Sequence, residues 1–438
     1  MYSNSENYVT SGASGSKTLI CNKHYDIIVV GGGIAGLYQA WQRLKREPHL
    51  SLLLLEADSR LGGRILTVHN RHYSGIEFGA GRFHNKHTRF LDLIRELGLD
   101  SKIIPIHGNK VYISSKKKDE DQQYVEGDVL DGMIKIILKS FQNRISRTLK
   151  KKLQNMTFLE YLMEVLPKDY VQLIYDSFGY SSELTDMNAY DSICLIRQYY
   201  FSKFFVLHGG MSQVIDGLVE QLKKFSGFHL RTRHRVNILN YDDSVFSVGC
   251  EGMVSMYHAP VVLMAANKEL LLKLSMFRPI YPMLRMIHTL PLCRIYAKFP
   301  MNLDTKRVWF HDLSRVTTNN MLRYIIPIDR ELGIIMISYT DNRFARYWNR
   351  LYIEGGVEKV NMALSKWLRK TFTTIHIPHP THTMVAYWEH GVAYYGVGFD
   401  SERMLPIIRR PFPDRKLWVY GENFSEKNSQ WIEGALES

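Results

Sequence analysis

The chain reads as an α/β protein, and three observations carry that reading. Apolar runs Asp26-Ile27-Ile28-Val29-Val30 and Leu50-Ser51-Leu52-Leu53-Leu54-Leu55 flank a helical stretch from Leu37 to Arg46. Between the first run and the helix stands Gly31-Gly32-Gly33-Ile34-Ala35-Gly36. The second run ends in an acid, Glu56, followed by Ala57.

Together these make a βαβ unit of the Rossmann-like, GxGxxG type. Gly31 permits the tight turn from strand to helix, Gly33 lets a pyrophosphate approach the backbone, and Gly36 lets helix and strand pack closely. Glu56 lies 20 residues beyond Gly36, where a carboxylate accepts from both ribose hydroxyls and disfavours a 2′-phosphate. A bare glycine pattern would be weak, but the strand before it, the helix after it and the acid at the end of the second strand supply the context that the motif requires.

Further glycine-rich turns follow at Leu61-Gly62-Gly63-Arg64 and Gly75-Ile76-Glu77-Phe78-Gly79-Ala80-Gly81-Arg82, then an amphipathic helix from Thr88 to Leu97 stopped by Gly98. Residues 111–128 are polar and predict a solvent-exposed hairpin or loop. From Val129 to about Gln198 apolar residues recur at helical spacing (Met133, Ile136, Ile137; Phe158, Tyr161, Leu162, Val165), predicting an all-helical insertion. Beyond Gly209-Gly210-Met211 a helix runs to Phe225, and short strands follow through Ala266. Strand-like alternation marks Leu292–Phe299, Arg323–Ile328 and Gly333–Tyr339, then a helix spans Glu358–Thr371. Lys416 to Asn423 is a strand entering a loop, and a helix begins at Trp431.

At 438 residues, 45% hydrophobic and 23% charged, the chain accommodates two or three globular domains. The net charge of +13 is scattered, with clusters at Lys116-Lys117-Lys118, Lys150-Lys151-Lys152 and Arg231 to Arg235. No zinc-finger or basic-zipper spacing accompanies them, so no specific nucleic-acid partner is expected. Cys21, Cys194, Cys250 and Cys293 are far apart, with neither a CxxC pair nor a metal-ligand grouping. No metal is expected, and a reducing, cytoplasmic setting is. Met1 to Lys23 is polar and reads as a disordered leader, not a signal peptide. No stretch is apolar for long enough to span a membrane.

These ordered segments (the GxGxxG unit, Leu61-Gly62-Gly63-Arg64, Gly209-Gly210-Met211 and Gly421-Glu422 … Glu433-Gly434-Ala435) resemble the flavin-containing amine oxidase family, which includes monoamine, polyamine and L-amino-acid oxidases. The resemblance implies an FAD-binding domain assembled from residues 24–75, 205–275 and 411–438. A mixed-sheet substrate domain would follow from 76–112 and 276–410, with the helical insertion at 113–204. It implies cofactor contacts from Gly31, Gly33, Ile34, Ala35, Gly36, Glu56, Ala57, Gly62, Gly63 and Arg64, and from Gly79, Ala80, Gly81 and Arg82. Val236 would contact the adenine side, Gly421 and Glu422 the ribityl-phosphate region, and Trp431 and Ile432 the flavin side.

It further implies a small-molecule amine or L-amino acid as substrate, hydride transfer to flavin, and reoxidation by O2 to give hydrogen peroxide. A homodimer is compatible with it. Family members flank the substrate nitrogen with two aromatic side chains; Trp431 aligns with one, and Tyr394, or next Tyr395, with the other. Plain core packing is the alternative for these aromatics. Monoamine oxidases carry a flavin-linked cysteine where this chain has Ala393, so FAD is expected to be noncovalent. Arg82 resembles the arginine that grips the substrate carboxylate in L-amino-acid oxidases, because a guanidinium forks onto a carboxylate as lysine cannot; pairing with an internal acid or a flavin phosphate is the alternative. The lysine that family members keep beneath the flavin is replaced by Arg294, with Lys298 further along the same strand. Asn423-Phe424-Ser425 replaces the usual small residues, and the chain stops at Ser438, where relatives often continue. These departures keep open a noncatalytic FAD-binding protein on the same fold, or a desaturase or porphyrinogen-type oxidase.

Overall fold

The computed structural model describes residues 23–73, 75–115, 121–139, 141, 145–200 and 202–438. The leader up to Asn22, the Lys116–Lys118 cluster and Cys21 lie outside the described residues.

A five-stranded parallel sheet is built from segments far apart in sequence, in the spatial order Phe228–Arg231, Leu52–Leu55, Ile27–Val30, Val261–Met264, Leu417–Val419. Strands covered on both faces should be continuously apolar, and these are. Ile28, Val30, Leu53 and Leu55 join one core, while Ile27, Val29, Leu52 and Leu54 join another on the opposite face. The second core receives Leu37, Ala40 and Leu44 from the helix Ile34–Arg46. A four-stranded sheet in the order Lys23–His24, Tyr257–Ala259, Val245–Cys250, Val236–Asp242 lies against the first core.

The second large sheet has seven strands, in the order His382–Tyr395, Ile287–Lys298, Ile334–Asp341, Tyr324–Asp329, Arg315–Thr317, Lys110–Ile113, Tyr124–Glu126. It is mixed, because Arg315–Thr317 and Lys110–Ile113 run parallel whereas the other pairs are antiparallel. The stretch expected as an exposed hairpin or loop supplies an antiparallel strand pair in which Tyr124–Glu126 is the edge of the sheet, and Val111 and Tyr112 are buried. Packing beneath the sheet overrode the polar composition of that stretch.

The expected helical insertion is a cluster of short helices, Gly127–Lys139, Arg147–Gln154, Phe158–Val165, Lys168–Ser177, Ser182–Thr185 and Ala189–Tyr200, around a core of its own that includes Leu153, Phe158, Leu162, Ile174 and Ile193. The helix expected at Glu358–Thr371 extends back to Asn342 through a kink at Gly355 and Gly356, the latter at φ 61°. Two adjacent glycines lower helix propensity enough to hide the first half from periodicity. Among the described residues, no helix is long and apolar enough to cross a membrane.

Candidate functional site

The carboxyl ends of the parallel strands open into a cavity of about 630 Å³, within the ordinary range for a small-molecule or cofactor site. The turn at its base depends on two glycines. Gly31 has φ 110°, and a Cβ there would meet the Ala265 carbonyl oxygen at 2.3 Å; a Cβ on Gly36 would stand 1.9 Å from the Gly31 oxygen. Gly33 differs: the space in front of it is open, with Gly63 Cα the nearest atom at 3.9 Å. That space is a cradle which any Cβ would fill, as close approach of a phosphate to the backbone requires. Glu56 accepts from Gly32 N at 2.6 Å and Asp58 N at 2.7 Å, which holds its carboxylate at the cavity wall with lone pairs to spare. The residues present fit an FAD.

Most of the expected cofactor residues line this cavity. From the N-terminal unit these are Gly31, Gly33, Ile34, Ala35, Glu56 and Ala57. Gly62, Gly63, Arg64, Gly79 and Ala80 come from the glycine-rich turns. Val236, Gly421, Glu422, Trp431 and Ile432 complete them from the distant segments. Gly36 and Gly81 are not wall residues. Gly36 serves helix packing, and a Cβ on Gly81 would collide with the Glu77 side chain at 2.8 Å.

Glu422 is buried, and its carboxylate is spent on the protein. Oε2 pairs with Arg64 Nη1 at 2.7 Å and accepts from Asn423 Nδ2 at 2.8 Å; Oε1 accepts from the backbone N–H groups of Ala393 at 3.0 Å and Gln430 at 2.9 Å. Arg64 also donates to the Gly391 carbonyl at 2.9 Å. This one carboxylate thereby ties the Gly62-Gly63-Arg64 turn, the His382–Tyr395 strand and the C-terminal loop together.

Glu77 was not expected as a site residue. Its carboxylate accepts from Met211 N at 2.6 Å and from the Thr67 hydroxyl, which explains why Gly209-Gly210-Met211 belongs with the glycine-rich turns. Burial pushes its pKa up to about 7 against the pull of those donors and Arg294. A lone acid among glycines carries no spacing signal, so the sequence could not single it out.

At the other end of the cavity stand Arg294, Tyr339, Trp388 and Trp431. Arg294 donates to the Glu77 carbonyl at 2.8 Å and to the Tyr339 hydroxyl at 3.1 Å, with its guanidinium 4.3 Å from the Tyr339 ring centroid. Trp388 Nε1 donates to the Phe78 carbonyl at 2.7 Å. Lys298 lies four residues beyond Arg294 at the end of the strand, opposite His382 and Ile334, and is not among the cavity-lining residues.

Arg82 lies behind Trp431 and not in the cavity wall. Its guanidinium sits 5.6 Å from the Trp431 ring, 5.3 Å from Phe204 and 5.8 Å from Tyr180, whose hydroxyl accepts from it at 3.3 Å. Neither Arg82 nor Arg294 is ion-paired among the described residues.

Tyr394 and Tyr395 depart from expectation: both are buried in the core and neither lines the cavity. Tyr395 stacks on Phe399 at 4.9 Å, and its hydroxyl donates to the backbone carbonyls of Ser425 and Asn423. Strand alternation turns one of two adjacent tyrosines away from the sheet face of the other, and dense packing on both faces buries the pair. The aromatic that shares the cavity wall with Trp431 from this strand is Trp388.

His84 and His87 are buried, lie tilted to each other with ring centroids 3.5 Å apart, and touch Trp431 edge-on at 5.2 and 5.1 Å. Burial lowers their pKa values to about 4 and about 2, so both are neutral near pH 7.

The model of the flavin containing amine oxidoreductases matches residues 34–438. Amine oxidase [flavin-containing] A of Canis lupus familiaris is 37% identical over 105 residues, 24% of this chain and 20% of that protein. Amine oxidase [flavin-containing] B of Rattus norvegicus is 40% identical over 76 residues, 17% of this chain and 14% of that one. The matched stretch thus spans a fifth or less of these relatives. Among solved structures, a putrescine oxidase bound to putrescine superposes with a TM-score of 0.72 at 16% identity, over 95% of this chain and 97% of the other. An Exiguobacterium sp. chain provisionally assigned as a protoporphyrinogen oxidase superposes with a TM-score of 0.69, also at 16% identity, over the same shares. At such identities the superpositions speak for the fold, and the match over residues 34–438 carries the assignment: the chain belongs to the flavin containing amine oxidoreductase family.

Proposed function

We propose that the chain is an oxidase that takes a C–N bond of an amine or L-amino acid as its substrate, with FAD bound noncovalently along the cavity. The observation that carries this reading is Trp431, which stands in the same wall as the fingerprint glycines and has the Arg82 guanidinium over its ring. FAD held there supplies the hydride acceptor, and its reoxidation by dioxygen gives hydrogen peroxide.

The protein's share is orientation and electrostatics. Trp431, Trp388 and Tyr339 form an aromatic enclosure that excludes water and receives the substrate nitrogen. Two guanidinium groups without ion partners disfavour an ammonium at that end and favour the neutral amine that the oxidation consumes. Arg82, with donors left after Tyr180, forks onto a substrate carboxylate once Trp431 shifts aside, which favours an amino acid. Glu422 holds Arg64 and the C-terminal loop in register. Among the described residues no cysteine lines the cavity, which supports a noncovalent cofactor.

Arg294 favours one second reading, a noncatalytic FAD protein, because a guanidinium bonded to the Glu77 carbonyl and the Tyr339 hydroxyl stands where the resemblance leads one to expect a lysine. An absorption spectrum followed by anaerobic mixing with L-amino acids, monoamines and polyamines separates the two. Bleaching of the flavin bands by one class supports the oxidase and names the class. Flavin that no amine bleaches supports the second reading, and purified protein without flavin overturns both.

A further inference from the structure

A buried charge is costly unless an opposite charge or a full set of hydrogen-bond partners meets it. Arg323 shows the usual solution in this fold: fully buried, it donates to the carbonyls of Gly179, Thr318 and Tyr175. Arg294 differs. It is 9% exposed, lines the cavity, and meets one carbonyl, that of Glu77, and one hydroxyl, that of Tyr339. A guanidinium has more N–H donors than those two bonds use. No carboxylate stands within ion-pair distance of it among the described residues.

Arg294 also has a neighbour of like charge. Tyr339, whose hydroxyl accepts from Arg294 Nη2 at 3.1 Å, meets Tyr180 edge-on at 5.0 Å, and the Tyr180 hydroxyl accepts from Arg82 Nη2 at 3.3 Å. Two positive groups thus flank one pair of tyrosines, Arg294 in the cavity wall and Arg82 behind Trp431. The charge on Arg294 opposes that on Arg82. Two carboxylates act on them from beyond ion-pair range, Glu77 on Arg294 and Glu183 on Arg82, and burial pushes both up to about 7, so neither is a full counter-charge near neutral pH. A single anionic group from outside would answer one arginine and leave the other.

We propose that Arg294 takes a second carboxylate of the substrate, so that the preferred substrate is an acidic L-amino acid. This rests on the oxidase reading, in which Arg82 takes the α-carboxylate. The residue type suits the task, because a guanidinium presents a fork that matches a carboxylate whereas an ammonium is a point charge. The fork is also held in advance. The Tyr339 ring, with its centroid 4.3 Å from the guanidinium, and the Glu77 carbonyl fix the orientation of Arg294, so little ordering is left to be done on binding.

The test titrates the purified flavin-loaded protein by calorimetry with glutarate against n-pentanoate, which differ in the second carboxylate and contain no amine. L-Glutamate against L-glutamine and L-aspartate against L-asparagine are then compared by KM in anaerobic flavin reduction. Glutarate is expected to bind about tenfold to a hundredfold more tightly than pentanoate, the usual weight of a charge-assisted hydrogen bond, and at least one acid is expected to have a KM lower than its amide by a similar factor. Arg294→Gln is expected to abolish both preferences while pentanoate still binds. Arg294→Lys keeps the charge without the fork and is expected to retain part of them. The proposal is overturned if the native protein shows neither preference, if both persist in Arg294→Gln, or if Arg294→Lys retains nothing. A glutamine variant that binds neither anion also overturns it, because Arg294 would then shape the cavity instead of selecting the ligand. Glutarate cannot be oxidised as an amine, so its binding is read independently of the oxidase reading, which fails if no amine bleaches the flavin.

Discussion

Replacing Glu422 tests whether one buried carboxylate holds the two halves of the site together. In Glu422→Ala the backbone N–H groups of Ala393 and Gln430 lose their acceptor, and Arg64 loses its ion partner. An orphaned buried donor costs about 1–3 kcal/mol, and Ala393 is fully buried while Gln430 is half-buried. The Arg64 side chain is 34% exposed, so water replaces part of the lost ion pair and that contribution is small. A loss of about 4 kcal/mol follows, a large share of the roughly 5–15 kcal/mol by which folded domains exceed their unfolded states. Glu422→Gln keeps an acceptor for the two N–H groups but sets an amide against Arg64, and about half that loss is expected. The assay is urea denaturation at fixed pH, followed by circular dichroism and, in parallel, by flavin fluorescence. Flavin is expected to leave first, since the carboxylate spans the cavity wall. Loss of less than about 1 kcal/mol in Glu422→Ala, with flavin retained, would refute the assignment of this carboxylate as the tie between the segments.

Three further predictions concern the turn, the flank and the pH dependence. Gly36→Ala forces a Cβ to within 1.9 Å of the Gly31 oxygen, so the purified variant is expected to carry far less flavin per protein; an unchanged ratio contradicts the close packing of helix and strand. Arg82→Lys keeps the charge but loses the fork. KM for amino acids is expected to rise at least about tenfold while that for simple amines is unmoved, and equal effects on both would assign Arg82 to packing around Trp431. Glu183 has its pKa raised from 4.5 to about 7 by burial, so the native state binds this proton more tightly than the unfolded state. Its effect on stability is therefore unfavourable above pH 7 and fades as the pH falls from 7 toward 4.5. Without substrate, Glu183→Gln is expected to be more stable than the native protein by up to about 3 kcal/mol at pH 8, with the gap closing near pH 5. Urea midpoints at the two pH values check this, and a pH-independent difference counts against it.

The legible parts of this fold were those that local rules govern. Ile27–Val30, Leu52–Leu55 and the glycine turn between strand and helix were readable because a doubly covered parallel strand must be apolar throughout and because the turn tolerates no Cβ at Gly31 or Gly36. The antiparallel pair of Lys110–Ile113 and Tyr124–Glu126 agrees with the hairpin reading of that stretch, but the burial of Val111 and Tyr112 was not legible, since it comes from pairing of Lys110–Ile113 with the distant Arg315–Thr317. The first half of the Asn342–Thr371 helix was lost to its glycine kink. At the site, Trp431 was readable from its segment, whereas Trp388 and Tyr339 reach the same wall from two strands of the seven-stranded sheet.

By itself the sequence displayed the βαβ unit with its glycine turn and the acid Glu56 at the end of the second strand, while the resemblance to the amine oxidases supplied the distant segments and the comparison at position 294. The βαβ unit depends on residue type and short spacing, which a chain displays before it folds. The tertiary structure decided that Tyr394 and Tyr395 belong to the core, that Arg82 stands behind Trp431, that Glu422 is spent on Arg64, and that the buried Glu183 accepts from the Tyr199 hydroxyl. Each of these turns on which atoms from distant segments meet in a space shut off from water, and burial and hydrogen-bond supply are properties of that meeting, absent from any one segment alone.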